Sequence, residues 1–141
     1  MNKALHSVAK GKQISVFLDD KPGMLAGITE LLGRHGVNIY ALSLAEGIGH
    51  GYVRMVVDKE DEAISTLRDA NELVLDREVL LLELSNKPGS LGLVTRLLAE
   101  SGVNLEYAYC AGGRGVDKGL VIVKVDDTDN AMQVLQKSSK V

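Results

Sequence analysis

The chain is poor in the residues that most often advertise a function. It has no Trp, and its aromatics are Phe17, Tyr40, Tyr52, Tyr107 and Tyr109. A surface that reads nucleic acid by stacking bases on rings is therefore poorly supplied. Cysteine is almost absent as well: Cys110 is the only one, which excludes an intrachain disulfide and any CxxC metal or redox motif. A lone thiol of this kind is expected to be buried and structural. Neither sign of charge dominates: 16 Lys and Arg face 19 Asp and Glu, a net charge of -3. The basic residues are scattered, so there is no electrostatic footprint for a polyanion or an anionic membrane. Long apolar runs are missing too. Residues 1–12 hold no signal-type apolar region, no stretch approaches the ~20 apolar residues of a membrane span, and a cytoplasmic location is expected.

Proline is also rare. Only Pro22 and Pro88 occur, and both stand in the same phrase, "DDKPGML" at 19–25 and "SNKPGSL" at 85–91. From Lys21 onward an offset of 66 matches Lys21, Pro22, Gly23, Leu25, Thr29, Leu31, Leu32, Gly36, Val37 and Asn38 with identical residues. Beyond Gly51 the offset becomes 68 and matches Gly51, Val53, Val57, Asp58, Asp61, Ala63 and Leu67. The chain is thus an internal repeat, with a two-residue insertion in the glycine-rich stretch at 111–119.

Within one copy the apolar period changes in a fixed order. "QISVFL" at 13–18 is a short β-branched strand, and residues 22–35 place Leu25, Ile28 and Leu32 at helical spacing before Gly36. Two strands at 37–46 and 51–58 form a hairpin, an acidic-capped helix covers 60–70, and a strand at 72–76 closes the unit. Strand, helix, strand, strand, helix, strand is the α+β, ferredoxin-like βαββαβ unit. The second copy predicts strands near 78–85, 103–110 and 118–126 and helices near 88–101 and 128–137. Its last strand should begin near residue 140, so it is missing or incomplete. An N-terminal extension at 1–11 would precede one unit at 12–76 and another at 77–141. The extension, or a second subunit, is expected to cover the sheet edge left open.

The repeated turn can do chemistry. Pro suits the first turn of a helix, and Asp20 or Asn86 can accept from the N–H of Gly23 or Gly89, which makes a plain helix start. The same N–H groups, with those of Met24, Leu25, Ser90 and Leu91, form a cradle for a carboxylate at the positive end of the helix dipole. Asn38 and Asn104, each directly after a helix-stopping Gly-Val, offer side-chain oxygens to an ammonium.

Several other signals fail. The aromatics do not fall where an RNA-recognition motif of the same strand order needs them. The stretch 111–119 links two strands and lacks phosphate-loop spacing, so it reads as a mobile hairpin loop. His6, His35 and His50 have no partners at metal-ligand spacing, and no nucleophile elbow or paired carboxylates stand out. No metal, cofactor or catalytic apparatus is expected. The second strands are apolar on both faces, which suggests a homodimer or other homo-oligomer.

The strand order together with "DDKPGML…HGVNI" and "SNKPGSL…SGVNL" resembles the ACT domain family of small-molecule, chiefly amino-acid, regulatory domains. The likeness covers residues 13–137 and points to the stand-alone tandem arrangement. It implies two units side by side in one eight-stranded antiparallel sheet, with helices on one face and effectors at the interface between the units. By position it implies two ligand sites. Asp20, Gly23, Met24 and Leu25 would act with Asn104 and Leu105, and Asn86, Gly89, Ser90 and Leu91 with Asn38 and Ile39. The implied function is a non-enzymatic amino-acid-binding regulator. The alternative is a constitutive regulatory subunit or oligomerisation module of a metabolic enzyme of the acetolactate synthase type, without sensing.

Overall fold

The computed structural model describes residues 3–46 and 50–138. The elements along the chain are β1 (Leu5–Asp19), α1 (Met24–Arg34), β2 (Ile39–Glu46), β3 (His50–Val57), α2 (Glu60–Asp69), β4 (Val74–Ser85), α3 (Ser90–Glu100), β5 (Leu105–Ala111), β6 (Lys118–Val125) and α4 (Thr128–Lys137). The fold is α+β, with antiparallel strand pairs and, among the described residues, four helices.

Among the described residues there are six strands where the repeat implies eight. The reason is that β1 runs on from the N-terminal segment through residues 13–18, and β4 joins the strands expected at 72–76 and 78–85. The charged stretch Asp76-Arg77-Glu78, at the expected boundary between the units, is exposed extended backbone inside β4.

Two compact units share these strands. The first is Lys12–Arg77; the second joins the residues up to Gly11 to those from Glu78 onward. The first has strand order β2-β3-β1-β4 and the second β1-β4-β6-β5, each a ferredoxin-like arrangement. Among the described residues no strand follows α4. Its place in the second unit is taken by the N-terminal half of β1: the Ser85 N–H donates to the Ala4 carbonyl at 2.8 Å, and Lys10 reaches Glu78 at 4.0 Å. Leu5 is buried in that unit's core beside Leu80, Leu82, Leu98 and Leu135, and Val8 packs against the same cluster. The edge expected to be open is therefore filled from within the chain.

Each helix buries the face its spacing dictates. In the first unit Ile28 and Leu32 of α1, with Ala63 and Leu67 of α2, pack on Ile14, Val16, Val53 and Met55 of the sheet. Both first helices stop in the same way. Gly36 and Gly102 take φ of 72° and 75°, and the N–H groups of Val37 and Val103 donate to the carbonyls of Leu32 and Leu98, a Schellman closure. The second helices also match: Lys12 pairs with Asp61 of α2 at 2.8 Å, and Lys10 pairs with Asp129 of α4, two residues that correspond in the repeat.

Candidate functional site

The repeated turn folds the same way twice, though not as a proline-led helix start. Gly23 and Gly89 are the N-caps, with φ of 90° and 91°, and among the described residues no side chain caps either helix. Pro22 and Pro88 therefore stand one residue before the cap, outside the helix. Asp20 and Asn86 are not the caps expected of them. The Asn86 amide Nδ2 donates to the Val116 carbonyl at 2.8 Å. The conserved spacing of the two phrases has a direct cause in the left-handed cap, a conformation that glycine adopts without strain. A Cβ built on either glycine meets nothing within 4 Å, so the space before each helix is open.

Two further segments wall that space, and strand register brings them there. Because β3 pairs antiparallel with β1, His50 and Gly51 lie opposite Asp19 and Leu18; in the second unit Lys118 and Gly119 lie opposite Ser85 and Leu84. The far ends of β2 and β5 arrive alongside, with Ala45 paired to Tyr52 and Ala111 to Leu120. The first unit thereby forms a half-open cavity of ≈ 330 Å³ whose walls include Asp20, Met24, Leu25, Leu44 and His50. The second forms one of ≈ 260 Å³ whose walls include Asn86, Ser90, Leu91, Cys110 and Leu120. The first turn of a helix opens beside each with the positive end of the helix dipole; in the second unit the Ser90 N–H is already donated to the Lys87 carbonyl at 3.3 Å.

Of the expected site residues, Asp20, Met24 and Leu25 meet at the first cavity and Asn86, Ser90 and Leu91 at the second, with Gly23 and Gly89 capping the adjoining helices. Asn38, Ile39, Asn104 and Leu105 are not among the residues lining these two cavities. They sit at the opposite ends of β2 and β5, where the N–H groups of Asn38 and Asn104 donate to the Asp58 and Asp126 carboxylates at 2.9 and 3.2 Å. That bond uses the main chain and would form with any residue but proline at those positions. Ile39 and Leu105 pack on the cores of their own units.

Sequence reasoning overlooked Leu44, His50, Cys110 and Leu120. The available signal was register: a hairpin returning beside the first strand must set its first residues against the turn. Cys110 also departs from expectation. It is exposed, because the alternation of β5 turns residues 106, 108 and 110 outward. The glycine-rich stretch joins β5 to β6, and Gly112, Gly113 and Val116 reach the second cavity. Among the described residues no group of three or more His, Cys, Asp or Glu could hold a metal ion. None of the described helices is long and apolar enough to cross a membrane.

The sequence profile of the ACT domain pair matches residues 10–140. The chain belongs to the ACT domain pair family. Among solved structures, this ACT pair is similar to protein BT0572 from Bacteroides thetaiotaomicron, at 30% identity over 93% of this chain and 90% of that one, with a TM-score of 0.86. Its fold is also that of the regulatory subunit of aspartate kinase from Thermus thermophilus, at 17% identity over 96% and 99% of the two chains and a TM-score of 0.70. The corresponding subunit from Thermus flavus gives 15% identity over 96% and 99%, with a TM-score of 0.65. None of the curated proteins compared with the ACT pair is significantly similar in sequence.

Proposed function

We propose that this ACT domain pair is a non-enzymatic regulatory protein that binds a small amino acid at its strand-to-helix turns. The observation that carries the reading is the cavity set against an uncapped helix start, built twice from corresponding residues. Free N–H groups at the positive end of a helix suit the α-carboxylate. The apolar walls, Leu18, Leu25 and Leu44 in one unit and Leu84, Leu91 and Leu120 in the other, suit a compact uncharged side chain. A helix start beside apolar walls is the chemistry of a small-molecule binding site. A ligand that fits one arrangement of the protein better than another shifts the balance between them, and a partner enzyme can read that shift. The fold shared along almost the whole chain with aspartate kinase regulatory subunits is compatible with such a partner. A second copy is the proposed occupant of the exposed row Tyr40, Leu42 and Leu44 on β2.

Thermal unfolding in the presence of each L-amino acid in turn tests the reading. A ligand at 100 times its dissociation constant adds about 2.7 kcal/mol of stability and raises the melting temperature. No shift with any amino acid overturns the sensor and leaves a constitutive subunit or oligomerisation module.

A further inference from the structure

Most residues lining the first cavity have repeat counterparts lining the second, yet their chemistry has diverged. Ser90, at the first helical position of α3, is only 5% exposed, and its Oγ is buried without a hydrogen-bond partner among the described residues. A buried hydroxyl left unpaired is costly, and proteins rarely keep one without a use. Its counterpart in the first unit is Met24, which brings bulk and no donor.

Charge separates the cavities in the same direction. Among the described residues, the second is lined by Lys87 and no carboxylate, whereas the first carries Asp19 and Asp20 against Lys21. An anion is favoured in the second and opposed in the first. The second turn is also held in place before any ligand arrives. Asn86 donates from its N–H to the Asp117 carbonyl and from Nδ2 to the Val116 carbonyl, both at 2.8 Å. Its neighbour Ser85 bonds the Ala4 carbonyl through N–H, and its Oγ contacts His6 Nε2 at 2.7 Å. A turn fixed from both sides loses little freedom on binding.

Resting on the amino-acid-binding reading above, we infer that each chain takes one ligand, in the second-unit cavity, with the Ser90 hydroxyl as a donor to its carboxylate. The Asn86 side-chain oxygen, left as an acceptor once Nδ2 is committed to Val116, is placed to meet the ammonium. The first cavity keeps the shape without the donor.

Cys110 supplies a reporter in the right place, since it is the only cysteine, it is exposed, and it lines the second cavity. The full chain is titrated by calorimetry with each L-amino acid, and iodoacetamide labelling of Cys110 is followed by mass spectrometry with and without the same amino acids. The expected result is one site per chain, slower labelling on saturation, and affinity about ten- to hundredfold weaker in Ser90→Ala, the loss typical of a hydrogen bond to a charged group. Unliganded Ser90→Ala should melt no lower than the parent, because it loses an unpaired hydroxyl. If that variant fails to fold, Ser90→Cys, a weaker donor of similar size, should weaken binding in the same direction. Two equal sites, binding that leaves Cys110 unprotected, or undiminished affinity in the Ser90 variants overturns the inference while the sensor reading stands. No binding by any amino acid overturns both.

Discussion

At the residue scale the turn glycines have a plainer role than a carboxylate cradle requires. A side chain at 23 or 89 would meet nothing, but it would be forced to φ near 90°. Gly23→Ala and Gly89→Ala should therefore each lower the stability of their own unit by about 1–2 kcal/mol through backbone strain alone, measured by urea unfolding. A loss of binding in either variant mixes that strain with any effect on the ligand, which is why the Ser90 hydroxyl gives a cleaner test. The paired lysines make a second residue-scale prediction. The Lys12 ammonium, hydrogen bonded to Asp61, holds that carboxyl below its usual range, and Asp129 holds the Lys10 ammonium above its own. A lowered carboxylate pKa favours the fold above the unfolded-state value, and the contribution is lost as pH falls through the folded-state one. A raised lysine pKa favours it below the unfolded-state value and is lost as pH rises through the folded-state one. All four groups are well exposed, so both effects should be small and weakened by salt. Carboxyl NMR titration should place Asp61 below an ordinary aspartate, and Lys12→Met should return it to the ordinary range.

At the element scale the N-terminal half of β1 behaves as part of the second unit. Leu5 is 1% exposed in that unit's core, so Leu5→Ala should cost about 2–5 kcal/mol. Hydrogen exchange should show the loss in β4, β5 and β6 at residues 78–125, with β2 and β3 unaffected. Equal loosening in both units would refute the assignment. The helices were legible in the sequence to within about two residues, because their apolar spacing and the Gly-Val stops are local signals. So were β2, β3, β5 and β6; the full lengths of β1 and β4 were not, for a physical reason. Lys10-Gly11-Lys12 and Asp76-Arg77-Glu78 interrupt the apolar alternation, yet the backbone continues through both, since strand pairing depends on N–H and C=O groups that every non-proline residue carries. The same limit governed the site. The turn could be read from its phrase, whereas His50, Leu44, Cys110 and Leu120 reach the cavities through register, a relation between segments distant in sequence. Ser90 illustrates both sides: its position was visible in the repeat, but its unpaired hydroxyl could be seen only after folding.

At the scale of the whole molecule, Tyr40, Leu42 and Leu44 are 53%, 38% and 58% exposed along one face of β2. An apolar row of this kind favours association. Light scattering behind size-exclusion chromatography should find the parent as a dimer or larger, and Leu42→Glu with Leu44→Glu should shift it to monomer without unfolding it. A monomeric parent would dismiss the proposed second copy. The route of β1 has another consequence, which concerns time. During synthesis the unit made of residues 12–77 can close while the residues after it are still unmade. Residues 3–11 leave the ribosome earlier and must wait longest, since Lys10 and its helix partner Asp129 are 119 positions apart. Closing so distant a contact is slow. The second unit is therefore finished by a peptide translated before the first unit, and until that peptide returns β4 presents a bare edge to whatever the cell offers it.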